Sequence, residues 1–332
     1  MPMGLHPAPM DGETTHFLAM LGAIAPVFLV IAVGRLVAWK GMLGEVGIQE
    51  LTRLLYWVCL PALLIDRLGR DLPPAGSIVS ASMMGVFACV AVAGLMLVAT
   101  RDQAPAQRGA IINGAFRMNG AFVGLPVIAL LATQGGPESA DLSARYLLIM
   151  AVMVPFTNAL AVLAFLIPGR GVSAASMTRC LAEVLRNPII IASALGVAIA
   201  ATIGSRLAES PPGAAITFLG DASIPLALLL AGATLDLRLM ISGLRRLCAI
   251  SAVKLLLAPA LGWGLCWWWE LDLATTLALV VLLGSPTAVS AVPMARQLGG
   301  DERLLAAIVV TTTLFAPFTL LLWLMAVAAL GS

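Results

Sequence analysis

Apolar residues gather along the chain into ten long runs, over residues 17–38, 48–68, 76–99, 109–133, 144–167, 181–203, 213–235, 247–269, 273–297 and 304–329. Each is close to the ~20 residues that carry an α-helix across the hydrocarbon core of a bilayer. The links between runs are short and polar, and none is long enough to hold another domain. The pattern predicts an all-α membrane protein of ten transmembrane helices. Residues 1–16 form a polar, Pro-containing N-terminal segment. The run after it is too long for a signal-peptide core and lacks a convincing cleavage site, so it is expected to stay as the first span.

Two runs are interrupted. The fourth carries Asn113-Gly-Ala-Phe-Arg117-Met-Asn119-Gly-Ala-Phe-Val-Gly124-Leu-Pro126, which holds an arginine, two asparagines, three glycines and a proline at membrane depth. The ninth carries Gly284-Ser285-Pro286-Thr287-Ala-Val-Ser-Ala-Val-Pro293. Unwound backbone in a membrane is tolerated only where protein buries it or it lines a cavity, and a pair of such breaks in matching positions marks a transporter binding site. The second and seventh runs match more weakly, through Leu60-Pro61-Ala-Leu-Leu and Ile224-Pro225-Leu-Ala-Leu-Leu. Repeats of five spans each, 17–167 and 181–330 joined by a short linker 168–180, must insert upside down relative to one another. The expected architecture is therefore an inverted repeat whose broken helices 4 and 9 meet near the midplane. Half-helix N-termini there present partial positive charge and free N–H groups to a small anion.

Charge gives the orientation. Of nineteen basic residues, thirteen fall at the links after odd-numbered spans: Arg35, Lys40, Arg53, Arg101, Arg108, Arg170, Arg179, Arg186, Arg238, Arg245, Arg246, Arg296 and Arg303. Four, Arg67, Arg70, Arg145 and Arg206, fall on the other side. The positive-inside rule makes the first set cytoplasmic and puts both termini outside, in a plasma membrane of the bacterial inner-membrane type. Only Arg117 and Lys254 remain, both well inside spans.

Composition agrees. With 61% hydrophobic and 11% charged residues and a mean hydropathy of +1.02, the chain has far more apolar surface than a soluble core uses. A net charge of +2 gives no footing for nucleic acid. Cys59, Cys89, Cys180, Cys248 and Cys266 lack metal or redox spacing and read as small packing residues. An enzyme is disfavoured: the two histidines, His6 and His16, are N-terminal, and there is no nucleophile elbow, metal-ligand cluster or closely paired intramembrane carboxylate. No phosphate-cradling loop is present for a nucleotide-driven pump. Neither a cofactor nor a metal is expected.

Phe116-Arg-Met-Asn119-Gly-Ala-Phe-Val-Gly124-Leu-Pro126 resembles the fourth-span signature of the auxin efflux carrier family. Asn187-Pro188-Ile-Ile-Ile is similar to that family's sixth-span opening, Pro225-Leu-Ala-Leu with Gly232-Ala to its seventh, and Ser285-Pro286-Thr287-Ala through Met294-Ala295-Arg-Gln-Leu-Gly-Gly-Asp301 to its ninth. The resemblance covers nearly the whole of 17–329. It implies a ten-helix fold in which helices 4 and 9 unwind and cross in a transport domain that moves against a scaffold, giving alternating access to small organic anions such as auxin-like or malate-like carboxylates. Two departures from plant members stand out. The segment 168–180 is too short for their long cytoplasmic loop, and 76–99 holds no acid or base, so an ionisable pair placed there in plant exporters has no counterpart.

The candidate substrate-binding residues are Arg117, Asn119, Asn113, Gly124, Pro126, Ser285, Pro286 and Thr287. Each has a plainer reading: Arg117 could snorkel to the interface, and the asparagines and Thr287 could merely satisfy freed backbone groups. Asp221, two turns into the seventh span, is the acid expected to be buried and a candidate for proton coupling. Lys254 is a second coupling candidate, although its long stem favours snorkelling. Asn158, beside Pro155, reads as helix-to-helix glue, and Trp267, Trp268 and Trp269 as an interfacial belt. The expected function is a secondary carrier of small organic anions, an exporter by family analogy. Its partners are the anion and membrane lipid, with a homodimer left open. Alternatives are a cation-coupled uptake carrier of the same fold and a receptor that binds an anion without moving it.

Overall fold

The computed structural model describes residues 12–70, 74–133, 139–168, 186, 188–240 and 243–331, and every regular element among them is helical. In order these are α1 (Gly12–Trp39), α2 (Glu45–Leu54), α3 (Leu60–Leu68), α4 (Ala75–Ala99), α5 (Pro105–Phe116), α6 (Leu125–Thr133), α7 (Ser139–Leu166) and α8 (Pro188–Thr202). They continue with α9 (Pro211–Asp221), α10 (Ser223–Ala233), α11 (Leu244–Ala252), α12 (Ala258–Trp268), α13 (Leu273–Gly284), α14 (Ala291–Leu298) and α15 (Glu302–Gly331). The first helix thus starts at Gly12, inside the expected polar segment. Of the linker 168–180, all but Pro168 lies outside the described residues, as do Asn187 and Cys180.

Eight helical stretches among the described residues are long and apolar enough to cross a membrane: α1, α2–α3, α4, α5–α6, α7, α9–α10, α11–α12 and α15. The chain is a multi-pass membrane protein. The other two expected spans appear as shorter apolar helices, α8 and α13. The start of the sixth span, 181–185, lies outside the described residues. In the ninth, the chain unwinds after Gly284, inside the expected span.

Three of the long stretches contain a π-helical turn, at Leu55–Cys59, Gly120–Gly124 and Val253–Leu257, and the next helix has a proline as its second residue, Pro61, Pro126 or Pro259. The coincidence has a steric origin. A proline ring clashes with the carbonyl four residues back and offers it no N–H, and widening the preceding turn removes the clash while keeping the helix running. The residue before each proline closes the wide turn by bonding five residues back, Leu60 to Leu55, Leu125 to Gly120 and Ala258 to Val253. The stretch α9–α10 is instead interrupted at Ala222, three residues before Pro225, so the motifs around Pro61 and Pro225 both sit at helix irregularities.

The helices pack in two sets. In one, α1 lies along α10 while α3 lies against α8 and α9. Glycine makes the first of these contacts: a Cβ at Gly34 would fall 2.1 Å from the Leu229 carbonyl oxygen, and one at Gly232 would fall 1.8 Å from that of Ile31. The two backbones touch, which in lipid replaces a hydrophobic driving force with dispersion contact. In the other set, α4, α5, α7, α12, α13 and α15 pack on one another. The sets meet where α1 reaches α6 and α15, where α7 reaches α3 and α8, and where α10 faces the turn Gly120–Gly124.

Polar contacts join the helix ends. Arg246 donates to Gln103 Oε1 and Gln107 Oε1, Asp301 N–H to the Ala106 carbonyl, and Arg296 pairs with Glu302. At the opposite end Arg67 and Arg70 reach Asp66, Arg67 reaches Asp221, and Arg145 holds both carboxylate oxygens of Asp272 at 3.0 and 2.9 Å. Partial burial of Asp272 opposes its charged form, yet the N–H and hydroxyl of Thr275 and the guanidinium of Arg145 outweigh it and hold the carboxyl below its ordinary range.

Candidate functional site: two crossing breaks

The site is built where α5 stops and α13 stops. α5 ends at Phe116, and Arg117 takes an extended backbone at φ −70°, ψ 130°. Residues 117–119 are unwound, the turn Gly120–Gly124 follows, and α6 resumes ahead of Pro126. On the other strand α13 ends at Gly284, Ser285 turns out at φ −63°, ψ 148°, and 285–290 run without regular helix until α14 begins. The two breaks are bonded together. Asn119 N–H donates to the Pro286 carbonyl at 2.7 Å, and Thr287 Oγ donates to the Gly114 carbonyl at 2.7 Å. Thr287 N–H in turn donates to Thr312 Oγ of α15 at 3.1 Å. Each bond satisfies a backbone group that unwinding released, which is the condition for irregular backbone at this depth.

Of the predicted residues, Asn113, Asn119, Gly124, Pro126, Ser285, Pro286 and Thr287 are all buried at or beside this crossing. Asn113 is fully buried and its Nδ2 donates to the Ala161 carbonyl at 3.5 Å, while its Oδ1 has no hydrogen-bond partner among the described residues. Ser285 Oγ closes the end of α13 by donating to the Leu282 carbonyl at 2.7 Å.

Arg117 is 6% exposed. Its guanidinium donates to Asn158 Oδ1 at 2.8 Å and Ser290 Oγ at 3.3 Å, and lies 3.1 Å from Met294 Sδ. Snorkelling therefore does not describe it, and Asn158 is a partner of the site as well as a link between helices. Ser290 stands at the N-cap position of α14, with no side-chain hydrogen bond to the helix's first turn. The guanidinium thus sits at the positive end of a helix, where a macrodipole disfavours a cation and favours an anion.

Asp221 corrects the sequence reading. Its side chain is 61% exposed and pairs with Arg67 at 3.7 Å, because α9 ends on this residue and the chain turns at Ala222. The buried acid among the described residues is Asp66, whose side chain is 4% exposed and accepts from Arg70 at 2.7 Å and from Thr217 Oγ at 2.6 Å. Lys254 is corrected too. It does not reach the interface but is fully buried with Nζ donating to the Leu283 carbonyl, since the π turn directs it onto a carbonyl that the end of α13 leaves open. Trp267, Trp268 and Trp269 are exposed as expected, and Cys59, Cys89 and Cys266 are buried free thiols with Cys248 partly buried.

Sequence reading missed Ser290, Asp66 and Tyr146. Tyr146 is wholly buried and its hydroxyl donates to the Gly120 carbonyl at 2.8 Å. A signal existed, since the chain has two tyrosines and a buried one must find a hydrogen-bond partner.

A multi-pass helical protein with two bonded helix breaks beside a buried arginine has the form expected of a membrane transporter. The profile of the family described as Membrane transport protein matches residues 19–324. The chain belongs to this family, the auxin efflux carrier family. A search of the curated proteins finds no match to it.

Proposed function

We propose that the protein is a secondary carrier that exports small organic anions across the plasma membrane by alternating access, with Arg117 gripping the carboxylate. The observation that carries this reading is the placement of a buried guanidinium at the N-terminus of α14, between the two crossing breaks. Guanidinium and helix end each favour an anion, and a carboxylate between them offsets the cost of holding the two positive groups together. Asn119 and Thr287 supply polar groups from the two crossing segments.

The proposal takes the chain as ten spans in two inverted five-helix repeats with both termini outside. The set containing α1, α3, α8, α9 and α10 is the scaffold, and the set around the crossing moves against it. Grouping of the helices in packing supports this division. So does the position of the turn Gly120–Gly124, which faces α10 across the boundary.

Counterflow of labelled malate and of labelled indole-3-acetate into proteoliposomes tests the reading. Arg117→Lys keeps the charge but loses the two-pronged grip and should raise the apparent KM, while Arg117→Gln should remove most flux. Wild-type rate and affinity in Arg117→Gln, for an anion that the protein carries, would assign Arg117 a structural role and refute the proposal.

A further inference from the structure

We propose that Tyr146 is a positioning residue for the anion site: its hydroxyl sets the shape of the turn Gly120–Gly124 and thereby places Asn119 at the crossing. The inference rests on the crossing being the binding site. Tyr146 projects from α7, outside both broken segments, and is fully buried. Its hydroxyl meets the turn at both ends. It donates to the Gly120 carbonyl at 2.8 Å, and a Cβ built on Gly124 would stand 2.0 Å from the same oxygen and 3.0 Å from the ring carbon that bears it. A Cβ on Gly120 would lie 3.2 Å from that oxygen.

The hydrogen bonds explain why an outside group is needed. In an α-helix the Gly120 carbonyl would take the N–H of Gly124. Here Gly124 N–H bonds to the Asn119 carbonyl at 3.2 Å, which also accepts from Val123 at 3.1 Å, and Gly120 accepts from Leu125 instead. Two registers compete over a few residues, and Pro126, lacking an N–H, favours neither through a bond of its own. The Tyr146 hydroxyl adds a second bond to the Gly120 carbonyl and occupies the space beside Gly124. Asn119 is the first residue before the turn, so whatever fixes the turn fixes the Asn119 N–H on Pro286 and the end of the segment that carries Arg117.

A glycine at 124 is required by this arrangement, and so the requirement should depend on the hydroxyl. A methyl at 124 cannot coexist with an oxygen at 2.0 Å. Once the oxygen is gone the nearest ring atom is at 3.0 Å, which small shifts relieve.

The test is a double-mutant cycle of Tyr146→Phe and Gly124→Ala, read by thermal unfolding of the purified full chain and by counterflow of labelled malate and indole-3-acetate. Tyr146→Phe should raise the KM of the carried anion about fivefold, the size of one lost hydrogen bond, with maximal rate changed by about twofold or less. Gly124→Ala should lower both melting temperature and flux, and the double variant should recover part of both. A double variant no better than Gly124→Ala overturns the proposal. An unchanged KM in Tyr146→Phe also overturns it, provided that Arg117→Gln impairs transport, because Tyr146 then only supports the fold. If Arg117→Gln and Tyr146→Phe both carry the anion normally while the melting temperatures still couple, it is the placement of the binding site at the crossing that falls.

Discussion

Asp66 and Asp221 show how little depth along a span says about burial. Both lie toward the outer ends of spans by the charge pattern, and Asp221 is nominally the deeper, but the helix stops on it and its carboxylate is exposed beside Arg67. Asp66 sits in the last turn of α3, reads as a boundary acid, and is enclosed because α9 brings Thr217 across it. Asp66→Asn should therefore destabilise the fold by about 1–3 kcal/mol, the cost of leaving buried charge-assisted bonds unmade, whereas Asp221→Asn should have a much smaller effect. Thermal unfolding in detergent compares the two, and equal shifts would contradict the assignment. Arg117, both asparagines and Thr287 were legible in the sequence because their chemistry is costly in lipid wherever it stands. Asn158, Ser290 and Tyr146 were not legible as partners, since nothing in a single chain says which face of α7 or which end of α14 meets Arg117.

At the scale of elements, the breaks themselves were the most legible feature. Asn, Gly and Pro at 113–126 and 284–293 announce where helix must fail, and the helix ends at Phe116 and Gly284 follow. The sequence did not show the kind of failure, a short unwound piece followed by a π turn in one case and six residues without regular helix in the other. That difference comes from the neighbours: Tyr146 and Leu282 crowd Gly120, whereas 285–290 are tied to α5 and α15 through Thr287. Pro126→Ala and Pro286→Ala should each let helix propagate toward the crossing and reduce flux several-fold more than they reduce the amount of folded protein in the membrane. The check is counterflow normalised to protein recovered in the proteoliposomes. Full flux from both variants would show that the prolines do not hold the crossing open.

For the whole molecule, the arginine distribution gives an expectation of sidedness that labelling tests. A cysteine at position 209 in a cysteine-free background should react with an impermeant label added to intact cells, and one at position 102 should not; Glu209 and Asp102 are both exposed in the fold. The reverse pattern would turn the protein over in the membrane.

The touching glycines of α1 and α10 bear on how the protein is made. α1 leaves the ribosome well before α10, yet the surface it fits most closely belongs to that later helix, and Asp66 likewise waits for Thr217. Until α10 arrives, α1 must be held in lipid by its own hydropathy alone, with Gly34 facing acyl chains. Assembly of this half of the structure is in effect post-insertional, so a chain truncated before α10 should enter the membrane in full and still leave α1 without its mate, open to capture by quality-control proteases.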